Sequence, residues 1–174
     1  MRPSYAFEHF GKGGQSIEHE FREGQAVQAK LADKVIDFAK RTYTGEEVRK
    51  WSEEIKSFTL SDGEKVSMPV THLMSLYCLN KRAQALTHIY GDGIRVANFK
   101  SGQKTVLDEG HIVSFEDVKK MLKELTPRQR EVAEALQSYM STEAAQWGNY
   151  VSMARFDVEQ FTEENYFPIN SDGR

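Results

Sequence analysis

Apolar residues recur at helical spacing along the first part of the chain. From residue 15 to residue 43 they are separated by steps of three, four or seven, and charged residues fill other positions. This spacing places the apolar side chains on one face of an amphipathic helix. That face consists of Ile17, Phe21, Gly24, Leu31, Val35 and Phe38. The glycine-rich stretch "GKGG" before it is interpreted as a loop. After the helix, Thr44 and Glu47 form a capping-box pattern, which predicts the start of a second, short helix.

The pattern then changes from helical spacing to alternation, with Asp62 and Gly63 at its centre. An Asp-Gly pair readily takes the backbone torsions of a tight hairpin turn, so two short strands are predicted here. Residues 94–114 also alternate and predict a second hairpin or a loose strand pair. Between them, residues 71–90 carry an apolar stripe broad enough for a central helix covered on most sides. The stripe consists of Leu73, Met74, Leu76, Tyr77, Leu79, Ala83, Leu86 and Ile89.

The last third of the chain is predicted to be helical. Ser114 with Asp117 starts a short helix, and Thr126 with Gln129 forms a second capping box that starts a long helix at the following proline. Apolar residues keep helical spacing from there to about residue 154. Gly148 lies inside this helix, where a glycine costs about 1 kcal/mol relative to alanine. It therefore predicts a kink or a close helix crossing.

Together these elements predict a predominantly helical α+β fold with two long amphipathic helices, a central helix and one or two small β-hairpins. The 174 residues contain no internal repeat and no linker-like stretch. We therefore expect a single domain over residues 1–174. It has a helical N-terminal part (15–54), hairpins flanking the central helix (55–113) and C-terminal helices (114–174).

Composition narrows the classes of partner. The chain has 23 Lys and Arg residues against 26 Asp and Glu residues, a net charge of -3. Such a chain has no bulk attraction to nucleic acid, although a local basic patch would still bind it. It is also not acidic enough for wholesale mimicry of a nucleic-acid backbone. No stretch approaches the ~18 consecutive apolar residues that a membrane-spanning helix needs, and no secretory signal is recognisable at the start. We expect no membrane partner.

No catalytic, cofactor-binding or metal-binding signature is recognisable in the sequence. His19 stands between two glutamates, but adjacent helical positions point in different directions and do not chelate an ion. His72 and His88 are sixteen residues apart, too far to share one. Cys78 is the single cysteine and lies in an apolar context, which favours a small buried hydrophobe over a nucleophile. The sequence therefore predicts a non-enzymatic protein without a cofactor.

Two sets of residues are candidates for an interface with a partner. The first set is basic and consists of Arg82, Arg95, Lys100, Arg128 and Arg130. The second is aromatic and consists of Trp147 and Tyr166. Basic residues brought together in space would bind nucleic acid or an acidic protein surface. The simpler interpretation of the first set is a solvated face of mixed charge.

The chain carries an unusual number of aromatic residues near its end, notably in "FTEENYFPI". They are Trp147, Tyr150, Phe156, Phe161, Tyr166 and Phe167. Exposed together they would form a large apolar patch. The favoured interpretation is that this segment folds back onto the core. The alternative is an interface, where aromatic side chains are enriched.

The sequence also resembles a known group of proteins. The stretches "VTHLMSLYCLNKRAQALTHIYGDGIRV" and "LTPRQREVAEALQSYMSTEAAQWGNYVSMARFDVEQFTEENYFPINSD" resemble a segment of very large proteins encoded by prophages and conjugative elements of gut Firmicutes. The shared pattern is "LTxxQxxVAxALQxYM", then "GNxxSM", then "FTExNYFPI", and the likeness covers roughly residues 50 to 173. In the large proteins the chain continues beyond "YFPI", so we expect either an excised domain or a stand-alone gene. No active site belongs to this segment and none is carried over.

The resemblance implies a phage or mobile-element protein, for which we keep three hypotheses. The first is a non-catalytic binding protein that inhibits a host nuclease, such as a CRISPR effector, in counter-defence. The second is a structural or packaged virion module, and the third is an enzyme acting on nucleic acid or nucleotides. Under the first, the expected partner is a host or phage macromolecule, a protein or ribonucleoprotein, in the cytoplasm of the bacterial host. The oligomeric state stays open.

Overall fold

Helices dominate the structure, as the spacing of apolar residues predicts. The computed structural model describes residues 11–99 and 111–166, including their side chains except those of residues 11–18, 20, 21, 84 and 88. By their internal contacts these residues belong to two compact units, divided in sequence between Thr44 and Gly45. The single-domain organisation is not tested by this division and stays a prediction. Among the described helices, none combines the length and apolarity needed to cross a membrane.

The first unit contains helix α1, Gly11–Thr42, which is the first long helix predicted. At ~1.5 Å rise per residue its 32 residues extend about 48 Å. The helix begins at Gly11, so the glycine-rich stretch that we expected to form a loop lies in its first turn. Lys40 and Arg41 lie in the last turn, where positive charge interacts favourably with the helix dipole. Several of its apolar side chains, including Val35 and Ile36, are exposed.

The second unit combines two β-hairpins with short and long helices. Its elements are α2 (Gly45–Glu53), β1 (Ile55–Thr59), β2 (Lys65–Pro69), α3 (Val70–Asn80), α4 (Ala83–Tyr90), β3 (Gly93–Val96), β4 (His111–Ser114), α5 (Phe115–Met121), a 3-10 turn (Leu122–Glu124), α6 (Pro127–Tyr139), a π-helical segment (Met140–Ala144) and α7 (Ala145–Phe156). Strands β1 and β2 pair antiparallel, with Ile55 opposite Pro69. Strands β3 and β4 also pair antiparallel, with Gly93 opposite Ser114. The predominantly helical α+β fold with two small hairpins is therefore confirmed.

The first hairpin turns where the Asp-Gly pair predicts it. Gly63 has a φ of 88°, a torsion that side chains disfavour. The backbone amide of Leu60 donates to the carbonyl of Glu64 (2.8 Å), and the amide of Glu64 donates to Oδ1 of Asp62 (3.0 Å). The turn is therefore fixed by the local chemistry of five residues.

The predicted central helix is two helices. α3 ends at Asn80 and α4 begins at Ala83. At the break the amide of Lys81 donates to the carbonyl of Cys78 (3.2 Å), and the amide of Arg82 donates to that of Leu79 (2.9 Å). These bonds span three residues, as in the tight last turn of a helix. The single helix over residues 71–90 was therefore a wrong prediction.

Helix α3 is nevertheless the centre of the second unit, because it contacts α2, β2, α5 and α6. Within the apolar stripe Leu73, Met74, Leu76 and Leu86 are buried, Tyr77 and Leu79 are half-buried, and Ile89 is 65% exposed. The most deeply buried side chains of the core are Val66, Met68, Val70, Leu73, Cys78, Leu86, Val113, Val118 and Val132. The Cys78 thiol donates to the carbonyl of Ala133 (3.3 Å), and burial raises its pKa to about 11. Such a thiol is a packing group, as the sequence indicates.

The long C-terminal helix begins at the predicted capping box. The amide of Gln129 donates to the hydroxyl of Thr126 (3.3 Å), and the amide of Thr126 donates to Oε1 of Gln129 (2.9 Å). Helical structure then continues to Phe156, with one irregularity at the π-helical segment. The interruption of regular helix geometry lies at residues 140–144, before Gly148. Gly148 itself lies within regular helix, so the helix is not interrupted at the glycine.

A buried carboxylate joins the first hairpin to α5. Asp117 is 5% exposed and lies in the first turn of α5, where its amide donates to the hydroxyl of the N-cap Ser114. Its carboxylate accepts bonds from the hydroxyl and the amide of Ser61, from the hydroxyl of Ser114 (3.0 Å) and from Nζ of Lys120 (2.9 Å). These donors, the Ser61 hydroxyl first, hold the pKa of Asp117 well below its usual range.

We predict that Asp117→Asn destabilises the protein at neutral pH and that the destabilisation fades in acid. The folded-state pKa lies below the unfolded value of about 3.9, so the stabilisation is complete above that value. It declines progressively as the pH falls from that value through the lower folded-state pKa. Urea unfolding from pH 7 to pH 3 should show the stabilities of the two proteins converging below about pH 4. Glu116→Gln, on the neighbouring exposed side chain, serves as the control and should change stability little. A constant difference between Asp117→Asn and wild type at all pH values would contradict this account.

Candidate interaction surface

The chain reverses direction at the end of α7. Asp157 takes a left-handed conformation (φ 56°, ψ 30°), and its amide closes the helix by donating to the carbonyl of Met153 (3.1 Å). Residues 161–166, here named the fold-back segment, then run over the same unit without forming a helix. The segment therefore folds back, as the favoured interpretation expects, but its aromatic side chains are not buried in a core: Phe161 is 42% exposed, Phe156 62% and Tyr150 68%, and Tyr166 is half-buried. Phe167 lies outside the described residues.

Asn149 binds the start of the fold-back segment like a strand partner. Its Nδ2 donates to the carbonyl of Phe161 (3.0 Å), and its Oδ1 accepts from the amide of Phe161 (2.7 Å). The aromatic ring lies over Gly148, where an added Cβ would come within 2.6 Å of a ring carbon. Gly148 therefore provides room for a side chain from the fold-back segment.

Gln137 binds the end of the segment from inside the unit. This residue is 2% exposed, and its Nε2 donates both to the carbonyl of Cys78 (3.0 Å) and to that of Asn165 (2.7 Å). One buried amide thus bridges α3, α6 and the fold-back segment. The hydroxyl of Ser141 adds a bond to the carbonyl of Tyr166 (3.3 Å).

Arg82 forms an ion pair with the fold-back segment. Its Nε and Nη2 donate to the two carboxylate oxygens of Glu163 (2.8 and 2.6 Å), the bidentate geometry in which such pairs are strongest. The same guanidinium lies 5.5 Å from the ring centroid of Tyr166, within cation–π range. The Arg82 side chain is only 11% exposed. Two of the candidate interface residues, Arg82 and Tyr166, are thus brought together inside this contact.

The other basic candidates lie elsewhere. Arg128 pairs with Glu47 (2.9 Å) and Glu131 (3.0 Å). Arg130 donates through Nη2 to the carbonyls of Leu122 (3.2 Å) and Lys123 (3.4 Å). Arg95 is exposed on β3, and Lys100 lies outside the described residues. Their role in an interface stays a prediction.

Helix α7 presents its opposite face to solvent. The residues covered by or turned toward the unit are Ala145, Gly148, Asn149 and Ser152. The opposite set is Trp147, Tyr150, Val151 and Ala154, which we name the α7 apolar face. Both sets follow the three- and four-residue steps of one helical face. Tyr150 is 68% and Val151 52% exposed, and the half-buried Trp147 ring packs edge-on against Tyr150 (6.4 Å). Trp147, an aromatic candidate, therefore lies on an exposed apolar surface.

Sequence reasoning did not single out Gln137, Asn149 or Glu163. Their signal is in the motifs quoted above, because they lie in "ALQSYM", "GNYVSM" and "FTEENYFPI" respectively. The three motifs meet in space through these side chains. Within the ranges that the structure describes, no group of three His, Cys, Asp or Glu residues is placed to hold a metal ion.

We predict that Gly148→Ala and Phe161→Ala are energetically coupled. Alanine gains about 1 kcal/mol over glycine inside a helix, but here its methyl group would displace the Phe161 ring. The gain should therefore appear only in the Phe161→Ala background. Gly24→Ala in α1, where an added Cβ meets nothing within 4 Å, is the control and should be insensitive to Phe161. Urea unfolding of the single and double variants measures the coupling. An equal effect of Gly148→Ala in both backgrounds would mean that the ring does not occupy this position.

Comparisons of the chain with protein-family models, with curated proteins and with solved structures find no match. The resemblance to a prophage and conjugative-element module stays a prediction.

Proposed function

We propose that this protein is a non-catalytic binding protein and that it contacts its partner through the α7 apolar face. The observation that carries the proposal is the exposure of Tyr150 and Val151 beside Trp147 on a helix whose other side is already occupied. Aromatic side chains on a well-supported element are typical interface anchors, since they bury much area and lose few rotamers on binding. The fold-back segment supports α7 from behind and so limits its freedom before a partner arrives.

The stretch of chain that contains this face is acidic, which favours a basic partner. From residue 143 to residue 166 the chain has five acidic residues and one basic residue, Arg155. The acidic residues are Glu143, Asp157, Glu159, Glu163 and Glu164. Glu163 is paired with Arg82, whereas Glu159 and Glu164 are exposed. A complementary partner would offer an apolar patch together with basic residues.

Surfaces with that chemistry occur in the nucleic-acid channels of nucleases, where basic and aromatic side chains hold the strand. This fits a counter-defence inhibitor of a host nuclease, such as a CRISPR effector. The resemblance to mobile-element proteins supports the same setting, the cytoplasm of a bacterial host. An inhibitor of this kind needs only to occupy the channel, so it requires no catalytic group of its own.

We predict that the double variant Tyr150→Ser/Val151→Ser binds such a nuclease at least about tenfold more weakly than wild type, because it removes two anchors. Both side chains are exposed, so the stability of the protein should change little. Ile112→Ser is the matched control: its side chain is 46% exposed on β4, and binding should stay at the wild-type level. Isothermal titration against a panel of purified CRISPR effectors, with nuclease assays in parallel, makes the comparison. Because the acidic residues contribute, affinity should also fall as salt is raised.

The outcomes separate the two parts of the proposal. Stoichiometric inhibition that the double variant loses and the control keeps supports both. Absence of inhibition across the panel overturns the counter-defence role. Equal binding by wild type and the double variant overturns the α7 apolar face as the contact surface.

A further inference from the structure

The fold-back segment is held mainly by contacts to its backbone. Asn149 makes two of them, and Gln137 and Ser141 donate to the carbonyls of the last two residues of the segment. Proteins that bind extended peptides use a similar mode, in which main-chain hydrogen bonds provide affinity and pockets for the peptide's side chains provide specificity. We name the surface formed by Arg82, Gln137, Ser141, Gly148 and Asn149 the fold-back groove.

The side chains of the segment define what the groove selects. Phe161 occupies the space over Gly148, Glu163 pairs with Arg82, and Tyr166 lies against the same guanidinium. A matching ligand is a peptide with an aromatic residue, an acidic residue two positions later and a second aromatic residue three positions after that, with a turn before the second aromatic residue, where Asn165 has a φ of 56°. The groove itself contributes a polar group from the interior, since Gln137 is 2% exposed.

The segment is attached in a way that allows it to leave. Asp157 provides a sharp left-handed turn, and residues 157–160 are exposed. No residue from 157 to 166 is buried, so release removes little apolar surface from contact. Segments with few buried contacts open at lower free energy than the core.

We infer that the fold-back groove also accepts the fold-back segment of a second copy of this chain, by reciprocal exchange. Each copy carries both the groove and its ligand, so exchange reproduces every contact and closes a symmetric dimer. The groove lies on the side of α7 opposite to the α7 apolar face. The two proposals therefore concern separate surfaces and fail separately.

Two charge-reversed chains test the exchange with the full-length protein. Arg82→Glu and Glu163→Arg each place like charges in their own groove, so each disfavours its own fold-back. When they are mixed, reciprocal exchange pairs opposite charges in both grooves. Size-exclusion chromatography with light scattering should show a heterodimer of twice the 19.9 kDa chain mass in the mixture. We expect at least about tenfold more dimer there than in either protein alone.

A matched pair and a second measurement make the result decisive. Glu164→Arg replaces the neighbouring exposed glutamate and, mixed with Arg82→Glu, should give no dimer. A mixture of the two reversed chains that stays monomeric, with both folded by circular dichroism, overturns the exchange.

If Arg82→Glu does not fold, a labelled peptide of residues 159–166 replaces it as the probe. It is added to otherwise wild-type protein that has been cut at a protease site engineered into residues 157–160. The peptide should displace the cut segment and bind, and its Glu163→Gln form should bind at least about tenfold more weakly while its Glu164→Gln form binds equally. No binding, or equal binding by all three peptides, overturns the inference.

Discussion

The early end of α3 is the constraint on which the rest of the second unit depends. A helix that stops inside a core must satisfy the carbonyls of its last turn. The carbonyl of Cys78 accepts from the amide of Lys81 and from Nε2 of Gln137. The same break leaves Arg82 between two helices, where its guanidinium reaches Glu163. Ending the central helix at Asn80 therefore creates both the buried bridge and the ion pair that hold the fold-back segment.

Helix α7 shows how this arrangement divides the surface. Its inner face is occupied by the chain's own segment at Gly148 and Asn149, and its outer face carries Tyr150 and Val151 in solvent. Charge is divided as well. Arg82 and Arg128 pair with carboxylates within the unit, while the chain from Asp157 onward adds mostly acidic residues. A protein with a net charge near zero can thus present an acidic end, and total composition conceals this.

Much of the fold could be predicted because it rests on local interactions. The hairpin turn at Gly63 and the capping box at Thr126 each involve residues within four positions of one another. The same holds for the cap at Ser114. Their geometry follows from backbone torsions and short side-chain bonds, so the sequence specifies them without knowledge of the rest of the chain. Helical spacing likewise predicted α1 and the long C-terminal helix, because a 3.6-residue period is a property of the segment itself.

The sequence by itself thus determined most of the helices and the first hairpin turn, and that the terminal aromatics needed cover or a partner. Only the tertiary structure decided which aromatic side chains contact the chain itself, which stay exposed, and which residues they contact. Arg82 and Glu163 are 81 positions apart, Gln137 and Asn165 are 28 apart, and Asn149 and Phe161 are 12 apart. From the sequence, Gly148 predicted a kink or a close helix crossing. Its actual neighbour is the Phe161 ring, which lies on another segment and cannot be inferred from the residues around the glycine. The break at Arg82 interrupts an apolar stripe that is compatible with one helix. Such choices depend on the contacts between distant segments, whose pairing no local pattern encodes.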